Sequence, residues 1–226
     1  MAVNYMKNFN MKKVRHYRDF GAIYPIPDEY VGELKVNDKS LVFQIEPRDQ
    51  IEYSDHNYSF RSNKTYEDKN IFVILESPHR FEFDASGYPI ALMMGKTGQL
   101  FFENFANYLS QSQMKLTNGI YNVICGNAVQ YQTSCGLNPI DRLLRDQNWK
   151  EIYEEHGGEQ DLKDRIFSIK PKYTINLCTG GKNPEGLRSL VSNSLDNFGL
   201  KKGKHYTEGN HPSSWYIKSN DSNMIL

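Results

Sequence analysis

The run Ile71-Phe72-Val73-Ile74-Leu75-Glu76-Ser77-Pro78-His79 decides the fold of this 226-residue chain. Five consecutive apolar residues, mostly β-branched or aromatic, predict a strand buried on both faces. Glu76 follows at once, and Pro78 bars a helix from starting there. In an open parallel sheet, ligands bind beyond the carboxyl ends of the strands. Glu76 is therefore expected at that rim, with a dry wall behind it. Gly209-Asn210-His211-Pro212-Ser213-Ser214-Trp215, near the other end of the chain, is expected to face it across a substrate.

Downstream of residue 71 the pattern alternates strand and helix. Phe101, Phe105, Tyr108 and Leu109 share one face of a helix over 98–111. Ile120–Cys125 reads as the second strand, leaving through Gly126-Asn127-Ala128-Val129. Asn138-Pro139 starts a helix running to about Arg145, and 146–160 is a charged stretch broken by Gly157-Gly158. A short helix over 161–169 precedes a third strand, Tyr173–Cys178, which exits through Thr179-Gly180-Gly181. Asn183-Pro184 caps a helix with Leu187, Leu190, Val191 and Leu195 as its core stripe. A short strand near His205-Tyr206-Thr207 delivers the His211 segment. Four strands alternating with helices predict an α/β fold: three α/β/α layers around a four-stranded, mostly parallel sheet, with right-handed crossovers. Upstream, Tyr30–Glu46 alternates weakly around Asn37-Asp38, which suggests a hairpin. Residues 1–66 are read as an N-terminal extension with that possible hairpin, 49–70 as mostly loop, and 67–226 as the main domain.

Charge is balanced, 27 basic against 27 acidic residues, so no overall field announces a nucleic-acid partner. Residues 163–218 nevertheless carry ten Lys or Arg against four acids, enough to track phosphates or to form a solvated lysine-rich face. Cys125, Cys135 and Cys178 have neither disulfide-framework nor C-x-x-C spacing. With no apolar run near 20 residues and no secretory pattern behind Lys7, Lys12, Lys13 and Arg15, a reduced cytoplasm is the expected location and a membrane partner is not.

Gly95-Lys96-Thr97 invites a P-loop reading, but that motif needs a glycine where Ile90 stands. The segment still opens a helix with free N–H groups, suited to a phosphate or to nothing more than a turn. Glu76 has the setting for orienting or deprotonating a water, with Glu82 and Asp84 in the same loop. His211 is suited to donating a hydrogen bond to charge on a leaving group. Asn127 can present donor and acceptor to a base edge, or simply form a turn. Trp215 reads as a core anchor or as a wedge between bases.

Together these motifs resemble, in order, those of the uracil-DNA glycosylase superfamily, most closely its iron–sulfur branch, family 4. Leu75-Glu76-Ser77-Pro78-His79 is similar to the G-E-A-P-G water-activating motif, and Glu82 matches a second acidic position. Gly95-Lys96-Thr97-Gly98-Gln99-Leu100 is similar to G-R-A-G-Q-L. Asn127 resembles the strand-end Asn that reads the base, with Asn122 as the alternative register. His211-Pro212-Ser213-Ser214-Trp215 is similar to H-P-S-x-L, where the histidine supports the leaving base and the residue at Trp215's place enters the helix stack. The resemblance spans about residues 70–216. It implies a DNA glycosylase that flips a nucleotide, with Glu76, His211 and Glu82 catalytic and Ser77, Tyr88, Gly98, Asn127, Ser213 and Trp215 binding base or DNA through the 95–99, 179–183 and 211–215 segments. Tyr88, with Phe83 behind it, substitutes for the aromatic that stacks on uracil. Three cysteines cannot supply the branch's four, so no cluster, metal or other cofactor is expected. Leu75 and His79 replace the motif's glycines, which opens the choice between uracil and a modified or larger base. The rival readings are a glycosylase fold that binds nucleic acid without chemistry, and a hydrolase with Ser77 as nucleophile and His211 as base, which lacks the G-x-S-x-G elbow.

Overall fold

The computed structural model describes residues 25–38, 40–46, 69–85, 87–112, 114–133, 139–180 and 186–218, with backbone only for 139–144 and 216–218. Expectations for the first 24 residues, the 47–68 loop, Cys135, Asn138, Gly181 and the Asn183-Pro184 cap lie outside these residues.

The chain is α/β. Its sheet runs in the order β2-β1-β4-β3-β5-β6, with β1 Glu29–Asn37, β2 Ser40–Ile45, β3 Asn70–Leu75, β4 Gly119–Asn127, β5 Tyr173–Asn176 and β6 Tyr206–Glu208. β4, β3, β5 and β6 are mutually parallel, whereas β1 pairs antiparallel with both β2 and β4. The expected four-stranded sheet is thus a six-stranded mixed one. The physical reason lies in β1. Tyr30, Val31 and Leu34 are buried, and a strand so buried needs its backbone groups paired. It meets that need on the edge of β4, where Leu34 sits opposite Tyr121. The hairpin tip follows Asn37-Asp38, and the Asn37 side chain accepts from the Ser40 N–H at 2.9 Å. Gly32, at φ 149°, is required by close approach: a Cβ there would stand 2.2 Å from the Gln44 carbonyl.

All six residues of β3 are buried. Ile71, Val73 and Leu75 turn to one face, against Phe101, Phe105 and Leu109 of α1 (Lys96–Gln111). Phe72 and Ile74 turn to the other, against α2 (Pro139–Lys150), α3 (Gly158–Ile169) and α4 (Leu187–Asn197). Each large apolar side chain so covered contributes about 1.5–3 kcal/mol. The charged stretch after Arg145 is helical, contrary to the sequence reading. α2 runs to Lys150 and continues as a π-helical turn, Glu151–Glu155. Trp149, Ile152 and Tyr153 explain this: spaced i, i+3, i+4, they bury one face beneath the charges. Gly157, at φ 84°, then lets the chain turn into α3.

Candidate functional site

β3, β4, β5 and β6 end at one rim, and Glu76 is the first residue past β3. Its backbone carbonyl is fixed from two sides, by the Trp149 Nε1–H at 2.7 Å and the Val129 N–H at 3.1 Å. Its carboxylate is gripped as firmly. Oε1 accepts from Arg145 Nη1 at 2.9 Å, and Oε2 accepts from the Thr179 N–H at 2.8 Å and from the Thr179 hydroxyl. Burial pushes the carboxyl's pKa up, but the charges of His211 and Arg145 and the Thr179 hydrogen bonds outweigh it, so Glu76 titrates below its usual range. It is an anchored, ionised carboxylate at pH 7.

His211 lies where its charge and that of Glu76 act on each other. Burial holds its pKa below the ordinary 6.5; Glu76 opposes the fall, and Arg145 and Arg188 reinforce it. The ring is neutral at pH 7. The Ser213 N–H, 3.4 Å from Nδ1, can only donate, so Nδ1 accepts from it and from the Ser213 hydroxyl at 2.8 Å. The proton therefore sits on Nε2, which has no hydrogen-bond partner among the described residues. Ser213 sets the tautomer.

Asn127 closes β4 next to Leu75 of β3. It is 1 % exposed, and its Nδ2 has no hydrogen-bond partner among the described residues. Its backbone is held from α3: Arg165 Nη2 donates to the carbonyls of Asn127 at 2.9 Å and Ala128 at 3.3 Å. The same guanidinium bonds Asp28, just before β1, at 2.7 Å and Asp161 at 2.8 Å. Gly126 makes room for this clamp, because a Cβ there would meet the Asp28 carboxylate at 2.0 Å.

The other expected site residues are placed elsewhere in this rim and its loops. Ser77 Oγ shares a 2.8 Å hydrogen bond with Thr133 Oγ1. Glu82 is buried, and its Oε1 accepts from the Met93 N–H at 2.9 Å; Glu29 takes the neighbouring Leu92 N–H at 2.7 Å. These two carboxylates tie down the turn containing Met93 (φ 58°). Tyr88 is 44 % exposed in a tight loop with Asp84. Gly98 sits in the first turn of α1, directly against the Met93 carbonyl. Trp215 stacks on Tyr108 at 4.7 Å and on Phe101 at 6.0 Å, and donates Nε1–H to the Asn210 carbonyl at 2.9 Å. It serves as an anchor fixing the His211 loop to α1.

Arg145, Thr179, Arg165, Arg188 and Asp28 were not singled out from sequence. Thr179 alone left a signal, as part of the third strand's exit. Among the described residues, no group of three or more His, Cys, Asp or Glu side chains is placed to hold a metal ion, and no helix is long and apolar enough to cross a membrane. No family model matches the chain, and neither a curated protein nor a solved structure is detectably similar to it.

Proposed function

We propose that the chain is a DNA glycosylase, hydrolysing the bond between deoxyribose and a uracil or other modified base, as the resemblance to the uracil-DNA glycosylase superfamily implies. The observation that carries this reading is the buried, unanswered Nδ2 of Asn127 at the rim that also holds an ionised Glu76 and a neutral His211. An unmet buried donor costs about 1–3 kcal/mol, and a base carbonyl would satisfy it. In this reading Asn127 reads the flipped base. Glu76 orients a water toward C1′ and stabilises positive charge developing on the sugar. The water oxygen bonds to C1′ as the bond to the base breaks, its electron pair leaving with the base, while the water's proton passes to the Glu76 carboxylate and from there to the released base or to solvent. His211 Nε2–H hydrogen-bonds the departing anion. Arg145 and Thr179 act through Glu76, keeping it ionised and aimed.

One observation favours a second reading, nucleic-acid binding without chemistry: Arg145 and Thr179 already occupy both oxygens of Glu76. Incubation with oligonucleotides carrying uracil and a panel of modified bases, followed by alkaline cleavage, separates the two. The glycosylase reading expects abasic sites that vanish with Glu76→Gln. Folded protein that releases no base from any substrate, yet binds DNA in a salt-dependent way with Glu76→Gln as well, establishes the second reading instead.

A further inference from the structure

Three arginines flank the rim, and they are not equivalent. Arg145 is matched by Glu76 and Asp146. Arg165 is matched by Asp28 and Asp161. Arg188, in the first turn of α4, has no carboxylate within salt-bridge distance among the described residues. Its Nε donates to the Cys178 carbonyl at 2.9 Å, and its backbone N–H donates to the Thr179 carbonyl at 3.3 Å. The side chain is thus tethered to the very segment that presents Thr179 to Glu76.

The guanidinium also lies flat against Gly180. A Cβ there would meet Cζ and Nη1 at 2.9 Å and Nη2 at 3.1 Å. Only a residue without a side chain lets the fork rest in this position. Its two terminal nitrogens have no acceptor among the described residues. Glu208 feels the charge of Arg188 but is already paired with Lys202 at 2.7 Å. A half-buried, oriented guanidinium with no carboxylate in salt-bridge contact among the described residues favours an anion with two oxygens in one plane, and phosphate meets that geometry.

We infer that Arg188, tethered to the Cys178 carbonyl and laid across Gly180, is the contact for a backbone phosphodiester of the strand whose nucleotide enters the Glu76–His211 rim. The contact rests on the nucleotide reading of that rim, but not on catalysis. It positions the strand rather than reads sequence.

The test is anisotropy of a labelled single-stranded oligonucleotide against salt, for wild type, Arg188→Gln and Arg188→Lys, with base release followed on the same samples. Wild type should bind with a salt slope that Arg188→Gln makes shallower by about 0.7, the share of one phosphate on a single strand. Arg188→Lys should restore the slope but not the full affinity, since it keeps the charge and loses the fork. Thermal melting of each variant identifies any that is unfolded, and Arg188→Lys then carries the comparison through its weaker affinity at unchanged slope. An unchanged slope and affinity in both variants overturns the inference, as does wild type that binds no oligonucleotide. Inorganic phosphate binding at the His211 ring by NMR, with no oligonucleotide binding, overturns it too. A lost slope with no base release from any substrate leaves the contact standing and removes only the glycosylase reading.

Discussion

The Asn127 amide is the residue that spends stability on readiness. Its nitrogen is buried without an acceptor, so Asn127→Leu, of similar volume, should raise the urea midpoint, by up to about 1–2 kcal/mol in stability, while abolishing base release. A fall in the midpoint would mean that Nδ2 has a partner in the folded chain. His211 gives a prediction with a definite sign. Its pKa lies below 6.5 because burial outweighs the pull of Glu76. Glu76→Gln removes that pull, so the ring should titrate lower still in a proton NMR titration; an upward move would contradict the arrangement. Because the native ring binds its proton less tightly than the unfolded one, this group's contribution to stability is full above about pH 6.5 and is lost as pH falls through the native value. At this scale Glu76, His211 and Asn127 were legible, since each follows a strand or sits in a turn with distinctive neighbours. Arg145 and Thr179 were not. They reach Glu76 across 69 and 103 residues of sequence, and nothing local marks an arginine in a charged helix as the one that turns inward.

Among the elements, α1 shows how a motif can be seen in sequence and still have a second meaning. Gly98 stood out as a helix-start residue able to offer its N–H to a phosphate. In the fold it lies so near the Met93 carbonyl that a Cβ would stand 1.6 Å away. Gly98→Ala should therefore cost about 2–3 kcal/mol, visible as a lower melting temperature without any DNA present. A melting curve superimposable on wild type would refute that close approach. Trp215 is similar. Its spacing after His211 allowed a wedge or an anchor, and the stack on Tyr108 and Phe101 makes it an anchor in the free protein. The strands and most helices were legible because apolar runs and stripes are long enough to signal. The π-helical turn was missed because ten charged or polar residues among 146–160 drowned the Trp149, Ile152, Tyr153 spacing.

For the molecule as a whole, the sheet was half legible. Three of the four parallel strands announce themselves as apolar runs, and the β1–β2 hairpin is marked by Asn37-Asp38, whereas the docking of β1 on β4 depends on an edge that only the assembled sheet offers. Asp28, at the start of this antiparallel half, ties it to the rest. Burial raises its pKa to about 6, against the lowering influence of Arg165, with Asp161 adding to the rise and Gln130 countering it. The native state thus holds this proton more tightly than the unfolded chain. The contribution is full below about pH 4 and is lost as pH rises through 6, amounting to roughly 3 kcal/mol at most. Asp28→Asn should flatten that slope when urea unfolding is followed from pH 4 to 7; an unaltered slope would show that other groups produce it.

The Arg165 guanidinium holds the approach to β1 with one nitrogen and the Asn127 and Ala128 carbonyls with another. Trimming the chain to residues 67–226 would therefore not yield a lighter working version. The shortened protein would lose Asp28 and leave Arg165 with Asp161 as its remaining carboxylate partner, loosening the hold on the Asn127 turn. The hairpin half is thus part of what fixes the Asn127 turn at the rim, as a door frame holds its lock.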